Sequence, residues 1–279
     1  MKRILVPVDF SPTSKKAFKF AVDIVSKSGG SVLLYHLYTA ARKSTPGLLV
    51  SAAEYNKQLA LTCLKKLKRL KKEIMKEATE VPVSIIIGHS PVVSNVLKYS
   101  EKHHIDLIVM GTQGASGLKK ITMGSKASQV MEKSNIPVLL IPEKFKWKLP
   151  ERIVFTTAFK RTDRNSLSFA FEFIRLYGAV VTFVNLEKPR HQSYSGEEDN
   201  FETYAFSLHR EYSESKIQFR RLKTKSIVKT METLHDEIPY DMLIMARRKL
   251  SFLNRFFQKS FTKEMACITT QPLLVIPQE

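Results

Sequence analysis

Asp106-Leu-Ile-Val-Met110 returns 135 residues later as Asp241-Met-Leu-Ile-Met245, and Ile136-Pro-Val-Leu-Leu-Ile-Pro142 returns at the same offset as Gln271-Pro-Leu-Leu-Val-Ile-Pro277. In each copy 25 residues separate the two blocks. A gapless recurrence of this kind reads as one structural unit laid down twice. Upstream, Arg3-Ile-Leu-Val-Pro-Val-Asp-Phe10 corresponds to Arg152-Ile-Val-Phe-Thr-Thr-Ala-Phe159 at an offset of 149, so the copies differ in length in their middle. The segment Glu143-Lys-Phe-Lys-Trp-Lys-Leu-Pro150 is charged, ends in Pro and reads as a linker. The expected domains are therefore 1–145 and 150–279.

Within the first copy, short apolar runs alternate with longer helical patterns, the signature of successive βαβ units on a parallel sheet. Strands are expected at Arg3 to Val8, Ser31 to Leu37, Val83 to Ile87, Leu107 to Met110 and Val138 to Ile141. Their unbroken Val, Ile and Leu content suits strands covered on both faces. In the second copy the strands fall near 152–156, 179–185, 216–222, 241–245 and 272–276. Ser11 is a candidate N-cap with Pro12 at the first helical position, Ala17, Phe18, Ala21, Ile24 and Val25 form a buried stripe, and Gly29-Gly30 stop the helix. The fold class is α/β: two doubly wound, five-stranded parallel-sheet domains of Rossmann-like type.

In such sheets ligands bind at the carboxyl ends of the strands, near the topological switch point. After the fourth strand comes Gly111-Thr-Gln-Gly114, then nine residues, then Gly124-Ser125 opening a helix through Ala127, Val130 and Met131. Glycine allows amide groups to approach phosphate oxygens closely, the helix N-terminus adds partial positive charge, and Ser125 adds a hydroxyl donor. In the second copy Gly111 becomes Ala246, Gly114 becomes Lys249 and Gly124 becomes Lys259, while Ser125 is matched by Ser260 and Asp9 by Ala158. Side chains there fill the positions where phosphates need bare backbone, although Arg247, Arg248, Lys249, Arg255 and Lys259 leave the loop basic.

The pattern Gly-x2-Gly-x9-Gly-Ser, between a strand ending in Val-Met and a strand reading Pro-Val-Leu-Leu-Ile-Pro, resembles the ATP-binding signature of universal stress proteins. The opening Arg-Ile-Leu-Val-Pro-Val-Asp-Phe-Ser, the Leu33-Leu-Tyr-His-Leu37 run and Gly88-His-Ser-Pro91 fit the same family. The resemblance implies a HUP-type fold and an adenine nucleotide, ATP with accompanying Mg, held by the first copy only. It implies that Asp9 contacts the nucleoside, that Leu37 lies by the adenine, and that Gly111, Gly114, Gly124, Ser125 and Lys126 surround the phosphates, with Pro7, Met110 and Gln113 completing the site. Gln113 stands where many relatives carry a basic residue, and Lys126 where an apolar one is common. The family also implies an intramolecular pseudo-dimer, with the two copies pairing antiparallel through strands 137–142 and 272–277, and a regulatory or stress-response role with an unidentified protein partner.

Catalysis has thin support. His36 and His89 fall near strand ends without an oriented carboxylate, His103-His104 suits a helix C-terminus, and no catalytic residue is assigned. The two cysteines, Cys63 and Cys267, have neither metal-ligand nor framework spacing, and no metal site is expected. No apolar run reaches the ~18 residues of a bilayer-spanning helix, and the N-terminus lacks a signal-peptide core, so a cytoplasmic protein without a membrane is expected. The net charge of +19 lies mainly in residues 1–150, which carry 25 Lys+Arg against 10 Asp+Glu. Much of it sits in Lys65, Lys66, Lys68, Arg69, Lys71, Lys72 and Lys76. The alternative function is thus a basic interaction protein taking nucleic acid or an acidic partner on that face.

Overall fold

The computed structural model describes residues 1–41, 51–77, 80–112, 124–157, 164–187, 198–247 and 269–278. The chain divides into two compact units, Met1–Glu143 and Lys144–Glu279.

In the first unit the order is β1 (Arg3–Pro7), α1 (Pro12–Ser28), β2 (Ser31–Tyr38), α2 (Ala52–Ile74), β3 (Val83–His89), α3 (Val92–Lys102), β4 (Leu107–Gly111), α4 (Ser125–Lys133) and β5 (Val138–Ile141). The strands form a parallel sheet in the order β3-β2-β1-β4-β5. The chain winds outward from β1 through β2 to β3, then crosses back to β4 on the other side of β1. The switch point therefore lies between β1 and β4, where the connections leave in opposite directions and open a crevice at the strand ends.

Ser11 caps α1, its hydroxyl accepting from Ser14 N at 3.1 Å, and Pro12 occupies the first turn. Ala17, Phe18, Ala21, Ile24 and Val25 are buried, joined by Phe20 and Val22. The helix ends on Gly29 (φ 72°), followed by Gly30 (φ 104°), where a Cβ would collide with the Lys2 carbonyl. Only glycine meets both demands there. Ile4, Leu5 and Val6 of β1 are fully buried, as expected of the central strand of a doubly wound sheet.

The second unit runs β6 (Arg152–Thr156), α5 (Arg164–Tyr177), β7 (Val180–Glu187), α6 (Glu198–Glu211), β8 (Ile217–Lys223), α7 (Ile227–Glu237), β9 (Met242–Arg247) and β10 (Leu273–Pro277). Its strands are also parallel, in the order β10-β9-β6-β7-β8. Its core is aromatic: Phe155, Phe171, Phe173 and Phe183 are fully buried, and Phe183 lies 5.1 Å from Phe155 and 5.5 Å from Phe219 between ring centroids. Offset contacts at these distances add to the area they bury.

The same hydrogen bonds recur in both units. Asp106 accepts from Arg3 N at 2.8 Å, and Asp241 from Arg152 N at 3.0 Å. His36 Nδ1 donates to the Val8 carbonyl at 2.7 Å, and Asn185 Nδ2 donates to the Thr157 carbonyl at 3.1 Å. Ser134 Oγ donates to the Ile136 carbonyl, as Thr269 Oγ1 does to that of Gln271. His36 thus has a structural task at the end of β2. The stretch read as a linker is partly packed, because Lys148 pairs with Asp241 at 2.8 Å within the second unit.

Candidate functional site

At the carboxyl ends of the first unit's strands is a cavity of about 340 Å³, within the ~300–1,000 Å³ of small-ligand clefts. Each wall follows from the topology. β1 brings Pro7 and, just beyond it, Val8 and Asp9; β2 brings Tyr35 and Leu37 on one face; β4 brings Met110 and Gly111. Gly124, Ser125, Lys126 and Ala127 enter from the first turn of α4, and Ser11 and Ser14 from that of α1. The expected residues Pro7, Asp9, Leu37, Met110, Gly111, Gly124, Ser125 and Lys126 are thereby brought to one cavity, whereas Gln113 and Gly114 lie outside the described residues.

Three local arrangements give the cavity its chemistry. Asp9 is held in place because its Oδ1 accepts from Ser11 N at 3.0 Å, a short turn that aims the carboxylate at the mouth of β1. Phe10 follows at φ 65°, an unusual conformation for an aromatic residue, and its ring is fixed by His36 at 4.5 Å and by Lys66 Nζ, 5.7 Å from the centroid.

The start of α4 is tied to the end of β4 by a backbone hydrogen bond. Gly124 N donates to the Thr112 carbonyl at 2.6 Å, returning the chain to the strand it left. Gly124 occupies the cap position of α4, and among the described residues no side chain caps the helix. The first-turn residues Gly124 to Ala127 line the cavity, Ser125 and Lys126 exposed among them, so the helix start brings donors and positive charge to it. Such an end is suited to an anion.

The lining also includes apolar side chains, those of Leu37, Met110, Pro7 and Val92. Tyr35 lines the cavity too, its ring 5.0 Å from that of Tyr99. Burial, helped by Tyr99, raises the Tyr35 hydroxyl above its ordinary pKa, so it stays a neutral donor. Gly88 makes room for it: a Cβ there would sit 2.8 Å from the Tyr35 hydroxyl.

Gly111 has a packing role that its place in the glycine pattern does not announce. A Cβ on it would lie 2.6 Å from Cβ and Oγ1 of Thr13 and 2.9 Å from the Thr13 carbonyl carbon, so the bare backbone of β4 lets the first turn of α1 close over the sheet. Val8, Ser11, Ser14, Tyr35, Val92, Thr112 and Ala127 line the cavity without having been expected in the site. Tyr35 was within reach of the sequence reading, since side chains two apart on a strand share a face and Leu37 was already assigned there. Ser14 and Val92 belong to no motif.

In the second unit, Ala246 and Arg247 end β9, while Ala158, Arg248, Lys249, Arg255, Lys259 and Ser260 lie outside the described residues. Among the described residues no helix is long and apolar enough to cross a membrane.

Comparison with known proteins agrees with this architecture. The profile of the Universal stress protein family matches residues 1–142. Universal stress protein MJ0577 of Methanocaldococcus jannaschii is 30% identical over 157 residues, covering 51% of this chain and 96% of the relative. Universal stress protein MJ0531 of the same organism is 32% identical over 145 residues, covering 50% and 81%. Over its full length the chain has the fold of a universal stress protein from Archaeoglobus fulgidus, with a TM-score of 0.77, 18% identity and coverage of 99% of this chain and 98% of the other. By the match over half its length and by the relative it spans almost end to end, the chain belongs to the universal stress protein family.

Proposed function

We propose that the first unit binds an adenine nucleotide, ATP with its Mg, and that the protein serves as a nucleotide-responsive regulator in a stress response. One observation carries the reading: a helix start at Gly124 to Ala127 with no side-chain cap among the described residues, an oriented carboxylate at Asp9 and apolar Leu37 and Met110 meet in a single cavity. The α4 amides, Ser125 and Lys126 take the phosphates, with Gly111, Gln113 and Gly114 in the loop before them. Asp9 accepts from the ribose hydroxyls, and the base lies along Leu37, Met110 and Pro7. Binding is confined to the first unit because Ala246, Lys249 and Lys259 replace the three glycines in the second.

Tandem duplication is supported by the matched hydrogen bonds of Asp106 and Asp241 and of His36 and Asn185. The pairing of 137–142 with 272–277 rests on two apolar strands bounded by Pro, a residue found at sheet edges because it cannot donate to a ladder. An unidentified protein partner and a cytoplasmic setting complete the proposal. With no assigned base, hydrolysis is slow and incidental.

The test is thermal unfolding with and without ATP, together with assay of released phosphate. ATP in excess raises the melting temperature by mass action, and phosphate appears over many minutes. No shift at millimolar ATP overturns the binding reading, and turnover of about 1 per second or faster overturns the non-enzymatic one.

A further inference from the structure

Helix α2 has 23 residues, a length of about 35 Å at ~1.5 Å per residue. It is seated by Cys63, Leu67 and Leu70, which are buried. At ~100° per residue, Lys65, Lys68, Arg69 and Lys72 fall within an arc of ~100° centred opposite that seat, and Lys76 follows in the 3-10 turn Met75–Glu77; all five are exposed. Their neighbours engage in the fold: Lys66 lies over the Phe10 ring, and Lys71 donates to the Val83 carbonyl at 2.6 Å. These five cations have no hydrogen bond or ion pair among the described residues. Of the carboxylates on α2, Glu54 is three turns upstream, and Glu73 pairs with Lys15 at 3.5 Å.

We propose that this outer face of α2 is a docking surface for duplex DNA, gripping the phosphate backbone without reading sequence. The argument is charge complementarity with a fixed spacing. Lys65, Arg69 and Lys72 follow one another at intervals of four and three residues, about 5–6 Å between Cβ atoms, and Lys76 in the next turn adds a further positive charge. A duplex presents one phosphate per ~3.4 Å of axis along each strand, so long side chains at this spacing reach nearby phosphates from one helix and the turn that follows it. An anionic membrane fits less well, because the apolar face that would enter lipid is the one seating α2 on the sheet. An acidic protein fits less well because the stretch from 65 to 76 exposes no aromatic anchor. This surface stands apart from the nucleotide cavity, and none of its five residues lines that cavity.

The test is fluorescence anisotropy of a short labelled DNA duplex titrated with the full chain across about 50 to 200 mM salt. With four to five phosphates neutralised, the slope of log K against log salt is about −4, a loss on the order of 10²-fold across that range. The variant Lys65→Gln/Arg69→Gln/Lys72→Gln makes the slope shallower by about 3. Its helix is kept, because Gln and Lys have similar helix propensities, and circular dichroism verifies this. A control of equal charge, Lys98→Gln/Lys102→Gln/Lys133→Gln on α3 and α4, leaves the slope of the wild type. The proposal is overturned if no saturable binding appears at the lowest salt, if both variants weaken binding equally, or if phosphatidylserine vesicles or poly-glutamate compete at lower charge concentration than unlabelled duplex.

Discussion

At the scale of the residue, Gly111 and Gly124 belong to one sequence pattern but do different things. Gly124 caps α4 at an ordinary φ of −56°, so its lack of a side chain matters for what approaches the helix start, not for backbone conformation. Gly124→Lys, which copies Lys259 of the second copy, is expected to abolish ATP binding while leaving the melting temperature without ligand nearly unchanged; isothermal titration and a thermal melt measure the two. Retained affinity would place the phosphates elsewhere. Gly111, by contrast, meets the backbone of Thr13. Gly111→Ala should destabilise the first unit by about 1–3 kcal/mol, the usual cost of overpacking, read as an earlier transition in urea without nucleotide, and an unchanged transition would contradict the packing role. The glycine spacing was legible because it is local, at fixed distances along the chain. The reason for Gly111 was not, because Thr13 lies nearly a hundred residues away in sequence and reaches it only through the closure of α1 over β4.

At the scale of the element, each unit ties its central strand to an aspartate at the start of the strand beside it. Asp241 is the more heavily invested: its carboxylate takes Lys148 Nζ at 2.8 Å, Arg152 N at 3.0 Å and the Arg152 guanidinium at 3.5 Å. Burial pushes its pKa up, but the hydrogen bonds from Lys148 and Arg152 outweigh this and bring it below the ordinary value. A carboxyl with a lowered folded-state pKa contributes stability that is fully present above the unfolded value of about 4 and is lost as pH falls through the folded one. Trp147, the single tryptophan of the sequence, precedes Lys148 and reports on this joint. Its fluorescence should show Asp241→Asn lowering the melting temperature at neutral pH, with a gap from wild type that closes below pH ~4; a gap independent of pH would remove the ion pairs from the account. Strand positions were legible from apolar runs, but their ends were not. β2 and β3 continue to Tyr38 and His89 because the ladder pairs Leu37 with Gly88 and Tyr38 with His89, past the point where the apolar pattern stops. Backbone pairing, indifferent to side-chain polarity, decides those last residues.

At the scale of the whole molecule, two five-stranded units were legible from repetition at offsets of 135 and 149, since a recurring apolar and aspartate pattern encodes the same strand order twice. The boundary was less so, because Lys148 looks like a linker lysine until Asp241 is placed against it. The proposed confinement of nucleotide to the first copy rests on the sequence difference of Gly111, Gly114 and Gly124 against Ala246, Lys249 and Lys259. Isothermal titration of the full chain with ATP measures this directly. The expected stoichiometry is one nucleotide per chain, falling to none in Gly124→Lys; a value near two would show a second site in the other copy, and one site that survives Gly124→Lys would move the phosphates away from α4.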